Sequence, residues 1–316
     1  KAHALLEQAD MVQVTGSAAN VQAGQESGTP NYCVSEGNPV ALVAESAAFD
    51  RVAAATVESA GYDWGTACIA ESCVIVPESV YQQFRTHLDA VGAYCCGETE
   101  STRIRETLFP DGQSHPERDL VGQPPADLAA RADVDVPADT SLLAVEPADI
   151  DTDPLVTECL APLVTTISVP DFEAGIDVAE RILDREGAGH SVAIHTDDRE
   201  KAVRAGRRLD VCRAVVNQPN LASSGTVTNG LTHSLSMGGG TWAGNQLAEN
   251  LSYRQFIQTT RIAFPTKGEE PSDSAVFGAH LAADGDADTP GTDTKQPDDT
   301  ERDDAEERGL LSRLLP

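Results

Sequence analysis

Apolar residues along this chain fall into two rhythms. Short continuous runs of four or five alternate with longer stretches in which apolar positions recur every three to four residues. Residues 11–14 read as a strand running into Thr15-Gly16-Ser17, and a helix is predicted over 18–26. Residues 30–34 form a second strand, which leads through Ser35-Glu36-Gly37-Asn38-Pro39 into a third at 40–43. An Ala/Val-rich helix is predicted over 49–60, a buried strand over 73–76 and an amphipathic helix over 80–91. Residues 109–154 carry prolines throughout and read as loop, with a short helix at 125–132. Strand material follows around Pro162, between 155 and 169. Then come a helix (172–185), a strand (191–195), a helix (199–209) and a strand (213–217). Short strands alternating with helices predict an α/β fold with a parallel sheet.

Composition changes this picture at the C-terminal end. From residue 266 the chain turns to Asp, Glu, Gly, Pro and Thr, a composition that predicts a disordered acidic tail over 266–316. It ends in a leucine patch, Gly309-Leu310-Leu311-Ser312-Arg313-Leu314-Leu315-Pro316, readable as a docking motif or a frayed end. The 316 residues carry 51 acidic side chains against 22 basic ones, a net charge of -29. Acid is also dense in 117–153 and 171–210, so the tail alone does not explain the charge. Such a surface disfavours nucleic acid and anionic membranes as partners. With only four lysines, the balance resembles that of proteins from salt-loving archaea and predicts a halophilic, cytoplasmic setting. No apolar run approaches the roughly 18 residues of a membrane span. The seven cysteines include no C-x-x-C pair and no Cys/His zinc spacing, which predicts free thiols in a reducing compartment and no metal site.

Two places carry candidate chemistry. Cys68 lies in Tyr62-Asp63-Trp64-Gly65-Thr66-Ala67-Cys68, between a predicted helix and a buried strand. A thiol there is either a nucleophile exposed to a cleft or a small buried hydrophobe. Thr15-Gly16-Ser17 sits between a strand and a helix, where backbone N–H groups can meet an anion.

Read in order, these motifs resemble the CoA-acylating aldehyde dehydrogenases, the acetaldehyde, propionaldehyde and sulfoacetaldehyde enzymes among them. The pieces are Val14-Thr15-Gly16-Ser17, Gly37-Asn38-Pro39, the Cys68 segment, Leu108-Phe109-Pro110-Asp111-Gly112 and Val121-Gly122-Gln123-Pro124. After them come Glu158-Cys159-Leu160-Ala161-Pro162, Gly189-His190-Ser191 and Met237-Gly238-Gly239-Gly240-Thr241-Trp242-Ala243-Gly244-Asn245. The resemblance covers residues 2–264. It implies an NAD- or NADP-dependent oxidoreductase that converts an aldehyde and CoA to acyl-CoA. Cys68 matches the nucleophile, which forms a thiohemiacetal and then a thioester. Glu158 matches the carboxylate on the nicotinamide ribose, and Thr15 and Gly16 the turn beside the nicotinamide. His190 matches a base toward the CoA thiol. Gly239, Gly240 and Trp242 would line the substrate pocket.

The resemblance also implies the organisation. Residues 1–35 would complete a dinucleotide-binding domain whose earlier part precedes Lys1. Residues 36–253 would form the thioester-bearing catalytic domain, and 254–265 a strand that pairs with a neighbouring subunit in a homodimer or homotetramer. Three alternatives stay open. Hydrolytic relatives carry a glutamate base, whose place here is near Val34 with Glu36 two residues on, so water could replace CoA. A glutamyl-phosphate-type reductase would use phosphate instead. The chain could also be an inactive remnant or a partner subunit.

Overall fold

The computed structural model describes residues 2–265, 268 and 271–278. It divides after Gln258 into two units. In the first, α1 (Ala2–Leu6) precedes β1 (Val12–Thr15), α2 (Ala18–Glu26) and β2 (Asn31–Val34). β1 and β2 pair in parallel as a sheet of their own. Next come β3 (Val40–Val43), α3 (Phe49–Ala60), β4 (Cys73–Pro77), α4 (Glu78–Ala90), β5 (Ala93–Cys95), α5 (Glu98–Leu108) and α6 (Pro125–Arg131). The rest is β6 (Leu142–Val145), β7 (Leu163–Val169), α7 (Phe172–Arg185), β8 (Gly189–His195), α8 (Arg199–Arg208) and β9 (Val211–Val216). β3 to β9 form a seven-stranded sheet in the order β5-β6-β7-β4-β3-β8-β9, and every pairing is parallel.

Side chains alternate across this sheet with period two, and both faces are covered. Leu42, Ile75, Ile167 and Ile194 face α7 and α8, with Ile176, Ile182 and Ala205. Val43, Val74, Val76 and Val164 face α3 and α4, with Val52, Phe84 and Leu88. A third cluster sets Ile104, Leu108 and Leu128 of α5 and α6 over Leu143, Val145, Leu155 and Leu163. The predicted α/β class with a parallel sheet is therefore what the chain adopts.

Several expectations need correction. Residues 109–154 are not all loop, because Leu142–Val145 is an interior strand between β5 and β7. Its four residues, between Pro137 and Pro147, are too few to show a period. α5 was absent from the hydrophobic pattern because it buries only Ser101, Ile104 and Leu108. Ser101 faces inward because its hydroxyl accepts from the Glu146 N–H (3.1 Å). Within 155–169 only the part from Leu163 is strand; Pro154–Val156 is a 3-10 turn. The segment expected as a strand from residue 254 begins instead as a 3-10 turn, Tyr253–Phe256, capped by Ser252, and 257–265 join no strand among the described residues. Of the second unit, a short helix, α9 (Asp273–Phe277), breaks the stretch expected to be disordered. The remaining tail and its leucine patch lie outside the described residues. Among the described residues no helix is long and apolar enough to cross a membrane.

One buried ion pair holds the approach to Glu158. Asp153, 4% exposed, accepts from Arg105 Nε (2.8 Å), Ala148 N (2.6 Å) and Leu155 N (2.9 Å). Removing the carboxylate strands the guanidinium and two N–H groups. Asp153→Ala is expected to cost about 3 kcal/mol, measured as a fall in the urea midpoint at unchanged slope.

Candidate active site

Cys68 is presented by a strained connection. α3 ends at Ala60, and the 3-10 turn that follows puts Asp63 (φ 50), Trp64 (φ 54) and Gly65 (φ 75) in succession in the left-handed region. Two consecutive non-glycine residues there store strain. Thr66 Oγ1 closes the turn by donating to the Asp63 carbonyl (2.8 Å). The glycine at 65 is a packing requirement, since a Cβ would lie 2.1 Å from the Ala161 carbonyl oxygen. The chain then turns tightly, with Ala70 N donating to Ala67 O (2.8 Å), and joins β4 through Ser72 N to Pro39 O (2.9 Å). Cys68 stands half-buried on that tight turn.

The starts of β3, β4, β7 and β8 bring the other residues to it. Gly37, just before β3, lies between Cys68 and His190: a Cβ there would meet the Cys68 carbonyl at 2.1 Å and His190 Cδ2 at 3.1 Å. Its neighbour Asn38 donates to the Val156 carbonyl (2.8 Å), which fixes the loop ahead of β3 to the turn before Glu158. Glu158 faces a cleft of 530 Å³ that Ser17, Glu36, Glu186 and residues 113–118 also line. This cleft lies where the carboxyl ends of β1 and β2 meet the amino ends of the large sheet.

Electrostatics set the resting protonation states. Burial pushes the Cys68 thiol up to about 11, and the Glu158 charge adds to the rise. Burial, then the Glu186 and Glu36 charges, raise Glu158 to about 8, while the Gly37 N–H opposes them. Glu186 also accepts from the Glu158 backbone N–H (2.8 Å). At neutral pH both Cys68 and Glu158 are therefore mainly protonated. His190 is buried, which holds its conjugate acid down at about 3, with nearby Arg213 lowering it further. It is a neutral imidazole in use. Its Nδ1 pairs with Ser191 Oγ (2.8 Å), and its Nε2 has no partner.

The structure brings Cys68, Glu158 and His190 to one end of the sheet. Thr15 and Gly16 sit at the end of β1, and their neighbour Ser17 reaches the cleft. Gly239 and Gly240 lie where the chain packs closely. The Gly239 carbonyl would be 2.0 Å from a Cβ at Gly189, and a Cβ at Gly240 would press on Ala248 (3.1 Å) and Cys212 (3.4 Å). They let the Met237–Asn245 segment lie against the start of β8. Trp242 is 50% exposed and lines a hollow of 430 Å³ with Gln22, Gln25 and residues 183–188, which adjoins the Glu158 cleft through Glu36 and Glu186. Glu36 is turned to α2, where it accepts from Ala18 N (3.2 Å).

Sequence reasoning missed Arg213. It is buried on β9 and donates to the carbonyls of His190 (2.8 Å) and Gly238 (2.9 Å), so it fastens the glycine segment to the His190 strand. The available signal was an arginine at an inward position of Val211-Cys212-Arg213-Ala214-Val215. Glu186 gave no such signal, because it follows a helix among other surface acids.

No family model matches the chain. It is 34% identical over 282 residues to a sulfoacetaldehyde dehydrogenase (acylating) of Cupriavidus necator, covering 88% of this chain and 57% of that protein. It is 31% identical over 277 residues to a succinate-semialdehyde dehydrogenase (acetylating) of Clostridium kluyveri, covering 87% and 61%. Among solved structures it is similar to an acetylating aldehyde dehydrogenase from Geobacillus thermoglucosidasius, with a TM-score of 0.80, 26% identity and coverage of 85% of this chain and 60% of that one. The chain thus spans less than two thirds of the length of each of these proteins.

Proposed function

From homology to the CoA-acylating aldehyde dehydrogenases, we propose that this chain carries the thioester-forming part of an NAD- or NADP-dependent enzyme that converts an aldehyde and CoA to acyl-CoA. The observation that carries this reading is the convergence of Cys68, Glu158 and His190 on one end of the sheet, with the apolar Val34 buried where hydrolytic relatives place their base. Glu36, the other candidate base, is bonded to the start of α2.

Cys68 Sγ would add to the aldehyde carbon as its S–H proton passes to the carbonyl oxygen, giving a thiohemiacetal whose developing negative charge the Cys68 backbone N–H would meet. Loss of hydride to the cofactor and of the hydroxyl proton to solvent would then leave the thioester. Glu158 is the residue that holds the ribose of the cofactor, because a carboxyl group can meet two vicinal hydroxyls. Its place in the cleft, next to Ser17 and the carboxyl ends of β1 and β2, fits a nucleotide. The bound nicotinamide supplies a hydride acceptor. His190 would face the CoA thiol with its neutral, unpartnered Nε2 and orient it as a hydrogen-bond acceptor while the CoA sulfur attacks the Cys68 thioester, the thiol proton ending on the departing Cys68 sulfur. Thr15, Gly16, Gly239, Gly240 and Trp242 stand further out as cofactor and pocket walls. Assembly as a homodimer or homotetramer, and work in a salty cytoplasm, complete the reading. Light scattering of the full protein in high salt checks the assembly.

NAD(P)H formation from a short aldehyde by the full protein is expected only when CoA is present. An equal rate without CoA overturns the acylating reading and returns Glu36 to consideration as a hydrolytic base.

A further inference from the structure

Three residues past Cys68 lies a carboxyl group that the proposed chemistry does not use. Glu71 is 1% exposed. Its Oε1 accepts from the Asn220 N–H (3.0 Å), and its Oε2 has no partner. Beside this bond runs a second one across the same seam. Ser59 of α3 accepts from Leu221 N (3.2 Å), and its hydroxyl reaches the carbonyl of Ile69 (3.5 Å), the residue that follows Cys68. The seam is polar throughout: the Asn220 amide and Thr56 Oγ1, one turn of α3 from Ser59, are buried without partners too. Asn220 opens the 3-10 turn Asn220–Ser224, which leads from β9 toward the Met237–Asn245 segment. On its other side Glu71 shares a small hollow with Ala67, Ala70, Ser72 and Glu158.

A buried carboxyl group costs free energy unless its bonds return it. Here the bonds join three parts of the chain beside Cys68: the end of α3, the cysteine turn and the start of the post-β9 segment, which Ala222 also packs against α3. We propose that Glu71 is a positioning residue that clamps the Cys68 turn to the Asn220–Ser224 turn and keeps the thiol half-buried. This rests on the reading of Cys68 as the nucleophile. Burial raises Glu71 to about 8, so below that pH it is a neutral acid. Glutamine therefore reproduces both its shape and its charge there.

The test is the rate at which iodoacetamide alkylates each cysteine at pH 7, followed peptide by peptide by mass spectrometry in the full protein. It needs neither aldehyde nor cofactor, so it stands whether or not CoA dependence is found. Glu71→Ala is expected to alkylate Cys68 at least tenfold faster than wild type, since the released turn exposes the thiol. Buried Cys73, Cys96 and Cys159 stay unreactive as internal controls. Glu71→Gln keeps the acceptor for Asn220 N and matches wild type within about twofold. Glu71→Asp keeps the acid but shortens its reach, and falls between. Wild-type reactivity in Glu71→Ala, or release in Glu71→Gln equal to that in Glu71→Ala, overturns the proposal. If Glu71→Ala exposes every cysteine by unfolding, the comparison of Glu71→Asp with Glu71→Gln decides: faster Cys68 alkylation in the aspartate variant alone supports the clamp, and equal rates overturn it.

Discussion

Cys68→Ala is expected to abolish CoA-dependent NAD(P)H formation by the full protein, a loss on the order of 10⁴-fold or more. No neighbouring side chain can take over. Cys73 lies wholly buried in β4, and Cys212 stands on β9 against Gly240. The size of the loss comes from the chemistry: without sulfur there is no thiohemiacetal and no thioester for CoA to attack. The fold is expected to survive, because Cys68 is not one of the buried core residues and the truncation removes a single atom. A urea midpoint equal to wild type together with lost turnover establishes Cys68 as the nucleophile. Retained turnover sinks the thioester mechanism, whatever the CoA dependence.

Gly37→Ala is the second large effect. The added methyl would lie 2.1 Å from the Cys68 carbonyl, which is 0.9 Å inside the 3.0 Å that real Cβ contacts respect (3.0 − 2.1). The atom in the way is backbone, and on the other side His190 Cδ2 stands at 3.1 Å. Neither can swing aside, so the cysteine turn or the loop before β3 must shift by about 1 Å. Overpacking of this kind costs about 1–3 kcal/mol, and a misplacement of that size about 100-fold in turnover. The expected signature is a lowered kcat with the protein still folded. Gly28→Ala is the control, because nothing lies within 4 Å of its new methyl. It carries only the strain of a left-handed alanine, about 1 kcal/mol, and should leave turnover unchanged. If Gly37→Ala behaves like Gly28→Ala, the site tolerates movement that its geometry forbids.

How far the chain could be read in advance follows from where its partners lie. α2 and α7 were predicted to the residue. α7 announces itself with an inward stripe, Phe172, Ile176, Ala179, Ile182 and Leu183, and with Asp171, whose carboxylate accepts from Ala174 N (2.9 Å). Those signals are local. β6 and α5 carried almost none, since four apolar residues among prolines and a helix with three buried positions look like loop. The site divides in the same way. Cys68, Glu158 and His190 were identifiable as candidates because each sits in a run of distinctive neighbours, and the fold places them at one end of the sheet. Glu71 and Arg213 were not, because what gives them meaning is 149 and 25 residues away, at Asn220 and Gly238. Trp242 also came from a distinctive run, and the backbone places its indole at a hollow that adjoins the cleft through Glu36 and Glu186.

The site lies at the amino ends of the strands of the large sheet, whereas ligands in open α/β sheets ordinarily gather at the carboxyl ends. Helices between parallel strands run opposite to them, so α3 and α7 point their C-terminal ends here, and with them the negative poles of their peptide dipoles. α2 offers its positive pole here, and Glu36 accepts from its Ala18 N–H. The field of this half of the cleft thus opposes free negative charge on sulfur, in accord with a thiol held near 11. Oxidants and electrophiles react with thiolates far faster than with thiols. A cysteine kept protonated is shielded from both, so the same placement that keeps the Cys68 sulfur weakly nucleophilic at rest also protects it.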